Sequence, residues 1–228
     1  MTRAAWRRAI PGPLRPEQEP PRRGGTDIAA PHADEPAASD SFTPPPIPVH
    51  LAGFPTAGGL VVPYTTLRHR GGKAALGLVD GDRADRCLRN RLCGVCGQPL
   101  PDRTVFLMRA SDLVRKYSVE PGMCPPCAAY TQRACPMVSG FMGQYRKAGV
   151  NPLATRRCGD ELCPCRGWSA PGGPSARFGA PADRWYALWV TQYRLGRDPD
   201  GRVAAGFSGL RVLALREIPV RASLEADR

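Results

Sequence analysis

The sequence predicts an α+β fold organised around a small four-cysteine zinc unit of the treble-clef or zinc-ribbon type, flanked by β-hairpins and preceded by a disordered, proline-rich N-terminus. The first observation is two Cys-x2-Cys pairs, Cys93 with Cys96 and Cys124 with Cys127, separated by 27 residues. Short runs rich in β-branched and aromatic residues precede and follow the pairs, as expected of strands. The 26 prolines and 25 glycines exceed a fifth of the 228 residues, so a bound metal would help this loop-rich chain to fold.

The N-terminal segment, residues 1–48, is predicted to be disordered. It lacks hydrophobic periodicity and ends in Pro44-Pro45-Pro46-Ile47-Pro48, which favours polyproline II conformation over a packed element. Its six basic and six acidic side chains cancel, so the net charge of +12 arises from the rest of the chain. A proline-rich docking motif and a dispensable tail both agree with this composition.

Residues 49–140 are predicted to form the zinc-binding α+β domain, which begins with a β-hairpin. The runs 60–66 and 74–79 are of β type and are separated by a polar, glycine-containing turn. Pro63 places the first strand at the edge of a sheet, because proline cannot donate a ladder hydrogen bond.

A helix is predicted over 83–92, directly before the first cysteine pair. Asp82 is expected to cap it, and its apolar residues recur at helical spacing. Cys87 lies on that apolar stripe, so we interpret it as a buried free thiol rather than a metal ligand.

The first cysteine pair is predicted to form a zinc knuckle, because two thiolates three positions apart reach one ion only if the backbone turns back sharply. Gly94 and Gly97 are expected to relieve the crowding of that turn. A short excursion follows, with a strand over 104–108 and a helix over 112–117 capped by Ser111.

The second cysteine pair is predicted to lie at the start of a helix. Pro125 and Pro126 lack amide hydrogens and have φ values suited to a first helical turn, and Pro136 ends the helix. Cys124 and Cys127 would then lie at the helix N-terminus, where the dipole favours thiolate. A knuckle, an excursion and such a helix have the layout of a treble-clef zinc finger.

Four cysteine ligands predict one structural Zn²⁺ ion. They suit a tetrahedral ion with Zn–S distances of ~2.3 Å and leave no position for water or substrate. Iron, as a tetrathiolate or an iron–sulfur cluster, is the alternative. In zinc-finger peptides such binding contributes roughly 10 to 16 kcal/mol, so the metal would decide whether residues 93–136 fold.

Several motifs of this region occur in a familiar combination. They are Leu-Cys-Gly-Val-Cys-Gly-Gln-Pro-Leu at 92–100, Glu120-Pro121, the second cysteine pair, and Arg133-Ala134-Cys135-Pro136. These motifs resemble a group of small, functionally uncharacterised proteins from actinobacteria and their phages, over about residues 60–140. In that group a C-x2-CGQPL knuckle precedes a second pair that often starts with histidine, and an ACP motif follows. The resemblance implies that Cys124 replaces that histidine, and it implies no activity.

The connector over 141–183 contains three more thiols within eight residues. They are Cys158, Cys163 and Cys165. This density predicts either a second metal site or a reduced loop or labile disulfide, and Asp160, Cys135 and Cys87 are the candidates for the fourth ligand. Cys135 lies too far along its helix to be a fifth ligand of the first ion. We expect it in the core, with a redox-active thiol or the second metal site as alternatives.

Residues 184–220 predict an aromatic β-hairpin, with a tail over 221–228. Its first strand, 184–195, carries three aromatic residues expected on one face, namely Trp185, Trp189 and Tyr193. A turn at 198–201 and a second strand over 210–218 complete it. These aromatics either stack on single-stranded bases or form core against the zinc unit.

The distribution of charge is compatible with a nucleic-acid partner. No acidic residue lies between Glu120 and Asp160, whereas five basic residues do. They are Arg133, Arg146, Lys147, Arg156 and Arg157. Such a stretch predicts contact with phosphates, or else solvated arginines that reflect GC-rich coding.

The chain is therefore predicted to be a non-catalytic, zinc-stabilised binding or regulatory module that contacts nucleic acid or a protein partner. Its three histidines, His32, His50 and His69, precede the cysteine pairs, so we expect none beside the metal, as a treble-clef nuclease would need. No small-molecule substrate is indicated. The alternative function is a thiol-based redox or metal sensor that uses the additional cysteines.

A cytoplasmic location without membrane contact is expected. The first residues carry arginines followed by prolines instead of an apolar run, which predicts no signal peptide. The sequence also contains no apolar run of membrane-spanning length. In a reducing compartment, paired cysteines are expected to be metal ligands rather than disulfides.

Overall fold

A computed structural model describes residues 42–70, 74–145, 163 and 179–219. Its strands are β1 (Thr56–Ala57), β2 (Leu60–Val61), β3 (Thr66–Arg68), β4 (Ala74–Val79), β5 (Thr104–Arg109), β6 (Tyr117–Ser118), β7 (Trp185–Val190), β8 (Arg194–Arg197), β9 (Val203–Gly206) and β10 (Val212–Glu217). Its helices are α1 (Gly81–Asn90), α2 (Ala110–Arg115) and α3 (Pro125–Ala134), with a 3-10 turn at Val49–Leu51. The predicted mixture of helices and strands is confirmed.

The central sheet has the strand order β10-β7-β5, and both pairings are antiparallel. Successive residues of its middle strand face opposite sides, as in any strand. Trp185 and Ala187 face the cluster that contains the paired cysteines. Tyr186 and Leu188 face a second apolar cluster on the other side. The sheet therefore separates the two halves of the core.

The two strands predicted for the terminal hairpin pair with each other, but they do not form a hairpin. Strand β10 pairs with β7 as expected, but β8 and β9 lie between these two strands in sequence, and the turn predicted at 198–201 joins β8 to β9. Strand β7 also pairs with β5. The strand predicted to reach residue 195 ends at Val190, where the chain bends. Because of that bend, Tyr193 packs in the second cluster against Phe106, with ring centroids 5.3 Å apart, and not on the face of the tryptophans.

The remaining strands form small sheets around this core. The strand predicted over 60–66 is divided: β2 pairs with β1, and β3 pairs with β4. Pro63 lies in the break, where its missing N–H removes a ladder donor. Strands β6, β9 and β8 form a second three-stranded sheet, and β8 is an edge strand.

Two helix starts differ from the predictions. Helix α1 is capped by Asp80 and not by Asp82, because the Asp80 carboxylate accepts the backbone N–H of Arg83 at 3.1 Å. Ser111 lies inside α2, whose first turn is closed by Asp112 accepting the backbone N–H of Arg109 at 3.2 Å. Helix α3 begins and ends where Pro125 and Pro136 predict.

The end of the segment expected to be disordered packs on the core. Ile47 contacts the cluster on the cysteine side. Phe42 makes an edge contact with Phe141, with ring centroids 5.1 Å apart. Residues 1–41, the tail at 221–228 and most of the connector at 141–183 lie outside the described residues. No helix within the described ranges is long and apolar enough to cross a bilayer.

Candidate metal centre

The two cysteine pairs meet at one place. The sulfurs of Cys93, Cys96, Cys124 and Cys127 all lie within 4.8 Å of one another. A tetrahedral ion with Zn–S bonds of ~2.3 Å places its ligand sulfurs about 3.8 Å apart, so this cluster has the dimensions for one ion. Cys124 is partly buried and the other three are buried. In the part of the chain that the structure describes, no other group of three or more potential ligands is this compact.

The first pair lies on the tight turn that was expected. The backbone N–H of Cys93 donates to Gln98 at 2.7 Å, and that of Gly97 donates back to Cys93 at 2.8 Å. Gly97 has φ of +71°, and a Cβ there would lie 2.9 Å from the Tyr64 ring. Gly94 needs no such conformation, since its φ is not positive and a Cβ would meet Pro121 only at 3.4 Å. Crowding therefore requires glycine at Gly97 alone.

Neighbouring segments hold this turn from both sides. The backbone N–H of Tyr64 donates to Val95 at 2.8 Å. That of Gly94 donates to Gly122, just before the second pair, at 3.0 Å. The loop that carries Cys93 and Cys96 is thus fixed through its backbone, independently of its sulfurs.

The second pair lies at the N-terminus of α3, as predicted. Cys124 is the N-cap residue, the two prolines occupy the first helical positions, and Cys127 lies in the first turn. The backbone N–H of Cys124 points to the sulfur of Cys93 at 3.5 Å. Further along α3, the Tyr130 hydroxyl accepts the buried backbone N–H of Val61 at 3.0 Å, which joins the helix to β2.

The electrostatics of the four thiols favour a cation among them. The thiols of Cys124 and Cys127 donate to Cys93 and hold its pKa well below its ordinary value. Hydrogen bonding to Cys124 and Cys93, together with burial, raises the pKa of Cys127. Burial likewise raises the pKa of Cys96. Neighbouring buried thiols therefore cannot all ionise unaided, whereas a divalent ion would stabilise four thiolates together.

A histidine lies beside this centre, contrary to the prediction. The 3-10 turn brings His50 Nε2 to 3.5 Å from the sulfur of Cys127, although the two residues are 77 positions apart. His50 does not belong to the compact group of ligand atoms. It is therefore placed to hydrogen-bond one sulfur from outside the cluster. The only sequence signal was its position at the border of the proline-rich segment.

The other described cysteines lie outside the compact group of four. Cys87 is fully buried on α1, as predicted, and burial raises its pKa to about 11. Cys135 ends α3 and packs, partly buried, against the cluster on the cysteine side. Cys163 is buried beside His69. Cys158 and Cys165 lie outside the described residues.

The structure describes only one of the five residues that were predicted to contact nucleic acid. Arg133 is exposed on α3. The other four, Arg146, Lys147, Arg156 and Arg157, lie outside the described ranges. The predicted aromatic face belongs to the core: Trp185 is 7% exposed, and Trp189 packs against the same cluster.

A basic surface that the sequence analysis missed lies on β8. All four residues of this edge strand are exposed, including Arg194 and Arg197. Arg91, at the end of α1, reaches the same region, because it donates to the Thr191 carbonyl at 3.1 Å and covers the Tyr193 ring. We call Arg91, Arg194 and Arg197 the β8 surface. Sequence alone did not indicate it, because Arg91 is about a hundred residues from the strand.

Comparison of the chain with protein-family models, curated proteins and solved structures found no match. The resemblance to the actinobacterial and phage group therefore stays a prediction. The function proposed for this chain rests on the geometry of its own residues.

Proposed function

We propose that the chain is a non-catalytic, zinc-stabilised binding module in which Cys93, Cys96, Cys124 and Cys127 hold one structural Zn²⁺ in a treble-clef arrangement. The observation that carries this proposal is the compact group of four sulfurs. Thiolate ligands alone favour zinc or iron over harder divalent ions, and a four-cysteine zinc shell is closed to substrate.

The surroundings of the cluster support a structural rather than a catalytic ion. Three of its four cysteines are buried, and its first loop is bonded to the backbone on both sides. His50 would act as a donor to the Cys127 thiolate, an outer contact of the kind that orients ligands and spreads their charge. With four sulfurs bound, no coordination position is left for a reacting group.

We further propose nucleic acid as the partner, bound through phosphate contacts with the β8 surface and Arg133. Strand β8 offers an extended, exposed edge with an arginine at each end. The buried tryptophans argue against stacking of bases on them, so the binding energy would be mainly electrostatic.

Elemental analysis of protein purified without added metal tests the metal assignment. We expect zinc, with Cys93→Ser and Cys127→Ser each losing one equivalent per chain. Iron, or an unchanged metal content in both variants, would overturn the assignment. A sensor would release the ion under mild peroxide and recover it with reductant, whereas a structural site should keep it until the fold is lost.

Fluorescence anisotropy with labelled single-stranded and double-stranded oligonucleotides tests the partner. Log affinity should fall linearly with log salt, and each of Arg194→Gln and Arg197→Gln should lower the slope by about 1. The matched control is Arg184→Gln, since Arg184 already pairs with Glu217 at 3.6 Å. Undetectable binding at low salt would reject nucleic acid and leave a protein partner.

A further inference from the structure

Two contacts join the C-terminal end of α1 to the start of β8. The Tyr193 hydroxyl donates to the backbone carbonyl of Leu88 at 2.6 Å, although the two residues are 105 positions apart. Arg91, directly after α1, donates to the Thr191 carbonyl at 3.1 Å, and its guanidinium lies 5.0 Å from the centre of the Tyr193 ring. The last turn of α1 therefore lies beside the first residue of β8.

The solvent-facing side of α1 carries positive charge up to this junction. Arg86, Arg89 and Asn90 are exposed, and their spacing of three and four positions places them on one face of the helix. Arg86 donates to the Tyr64 hydroxyl at 3.5 Å. Within the described ranges, the Arg89 side chain has no hydrogen-bond or ion-pair partner. We call Arg86, Arg89 and the β8 surface together the α1–β8 surface.

The sequence around these arginines holds few carboxylates that could neutralise them. No acidic residue occurs over 86–101 or over 184–197. The two acidic residues of α1, Asp82 and Asp85, lie in its first half, away from the contact with β8. Asp198, directly after β8, is buried and forms an ion pair within its own turn. The α1–β8 surface therefore attracts a polyanion.

The surroundings of this surface favour a double-stranded over a single-stranded polyanion. Single strands bind largely by stacking their bases on accessible aromatic rings. Every aromatic residue within the described ranges is buried or partly buried. The ring at the junction, that of Tyr193, is covered by Arg91 and makes an edge contact with Phe106 at 5.3 Å. The α1–β8 surface thus offers charge without a stacking platform.

We propose that the α1–β8 surface binds double-stranded DNA, with α1 in the major groove and β8 along the adjoining phosphates. The proposal rests on the proposed nucleic-acid partner and specifies the form of that partner. The major groove of B-form DNA is about 12 Å wide and admits an α-helix, which is about 10–12 Å across with its side chains. The exposed Arg89 and Asn90 are of the residue types that hydrogen-bond guanine and adenine there. The major groove of an RNA duplex is too narrow for such contacts.

The geometry of β8 suits a phosphate backbone that lies along it. Arg194 and Arg197 are about 10 Å apart along the strand, so they reach different phosphates of one DNA strand, which follow one another every ~3.4 Å along the axis. Three positions separate the two arginines, so their side chains leave opposite faces of the strand. Because β8 is the edge of its sheet, both arginines border the open edge and contact a bound backbone from its two sides.

Fluorescence anisotropy on the full-length, zinc-loaded protein tests the proposal with three labelled probes. They are a DNA duplex of about two helical turns, the RNA duplex of the same sequence, and one strand of the DNA. Five arginine–phosphate contacts, with salt slopes of about −0.9 each on duplex and −0.7 each on single strands, predict about tenfold tighter binding of the duplex at about 0.1 M salt. The RNA duplex should bind more weakly than the DNA duplex.

Substitutions on α1 test the placement of the helix. Arg89→Gln and Arg86→Gln should each weaken DNA-duplex binding about 3- to 10-fold at about 0.1 M salt and lower the salt slope by about 1, whereas Arg89→Lys should keep the slope. The matched control is Arg184→Gln, at the opposite end of β7 from the junction, which should bind like the wild type. Both α1 arginines are exposed, so thermal unfolding should be unchanged in these variants.

The possible results distinguish a failure of this proposal from a failure of the proposed partner. Equal binding of the single strand or of the RNA duplex would overturn double-stranded DNA as the ligand and leave nucleic acid as the partner. Wild-type affinity in both Arg89→Gln and Arg86→Gln, with weakened binding in Arg194→Gln, would overturn the placement of α1 alone. No binding of any probe at low salt would reject both proposals.

Discussion

Replacing Arg109 with methionine is expected to destabilise the chain by about 3 to 5 kcal/mol, because it breaks a buried ion pair from one side. The Arg109 Nε lies 2.7 Å from the Asp112 carboxylate, and the two side chains are only 11% and 9% exposed. A second carboxylate, that of Glu120, lies 3.9 Å from the guanidinium. The guanidinium also covers the ring of Trp185 at 5.5 Å.

The low exposure of the Arg109–Asp112 ion pair determines how much stability the Arg109→Met variant loses. An exposed ion pair contributes about 0 to 1 kcal/mol, but here the variant leaves the Asp112 charge buried, with the backbone N–H of residue 109 still bonded to it. Burial by itself would lower the pKa of Arg109, but Glu120 and Asp112 outweigh burial and raise it. The guanidinium therefore stays charged, and its removal is a loss of charge pairing.

Thermal unfolding with zinc in excess measures this effect. For a chain of this size, 1 kcal/mol corresponds to about 2 to 4 °C, so the midpoint should fall by roughly 6 to 20 °C. Arg115→Met is the control, because Arg115 is exposed on α2, the helix that carries Asp112, and it should change stability by less than about 0.5 kcal/mol. Adding Asp112→Ala to Arg109→Met should recover part of the loss. A loss below about 1 kcal/mol in Arg109→Met would refute the buried-pair reasoning.

Three further predictions concern single contacts. Tyr130→Phe leaves the buried backbone N–H of β2 without its acceptor and should cost about 1 to 3 kcal/mol in urea unfolding; an unchanged midpoint would mean that water replaces the hydroxyl. Gly97→Ala should cost more than about 1 kcal/mol and weaken zinc retention, whereas Gly143→Ala, with no atom within 4 Å of its added Cβ, should change little. Burial raises the pKa of Asp198, but hydrogen bonds from Arg202 outweigh burial and hold it below its ordinary value. The Asp198–Arg202 interaction therefore stabilises the fold above the unfolded-state pKa of about 3.9, and this stabilisation is lost as pH falls through the folded-state pKa of Asp198. The loss is at most about 1 kcal/mol, because Arg202 is 42% exposed. Arg202→Gln should then lose less stability than the wild type between pH 6 and pH 3, and equal losses would refute this assignment.

The features that sequence predicted best depend on local chemistry. The prolines after Cys124 set the start of α3, and Gly97 allows the turn that the first pair needs. The cysteine spacing brought four sulfurs together in the expected place. The helix start and the turn follow from constraints within a few residues. The meeting of the two pairs, which are 27 residues apart, follows from the preference of one metal ion for four thiolate ligands.

The features that sequence missed depend on contacts between distant segments. Strand β7 has the composition of a buried strand, but nothing in it specifies that β5, about eighty residues earlier, is its second partner. For the same reason, the sequence did not indicate that His50 and His69 each lie beside a cysteine sulfur, since those cysteines are 77 and 94 positions away. Tyr193 was assigned to the wrong face, because side chains alternate between the two faces of a sheet only while the strand continues. Strand β7 ends at Val190, before Tyr193.

The position of the four-cysteine centre links the metal to the central sheet. The first pair precedes β5 and the second follows it, and Met123 exchanges two backbone hydrogen bonds with Val105 at 3.0 and 2.8 Å. Closing a loop of about thirty residues costs roughly 3 kcal/mol from its length dependence, which is less than the roughly 10 to 16 kcal/mol that zinc supplies in isolated fingers. A bound ion would therefore fix the chain at both ends of β5, and the edge of β5 could then pair with β7. The metal would then contribute to the fold mainly by fixing the strand on which the rest of the sheet assembles.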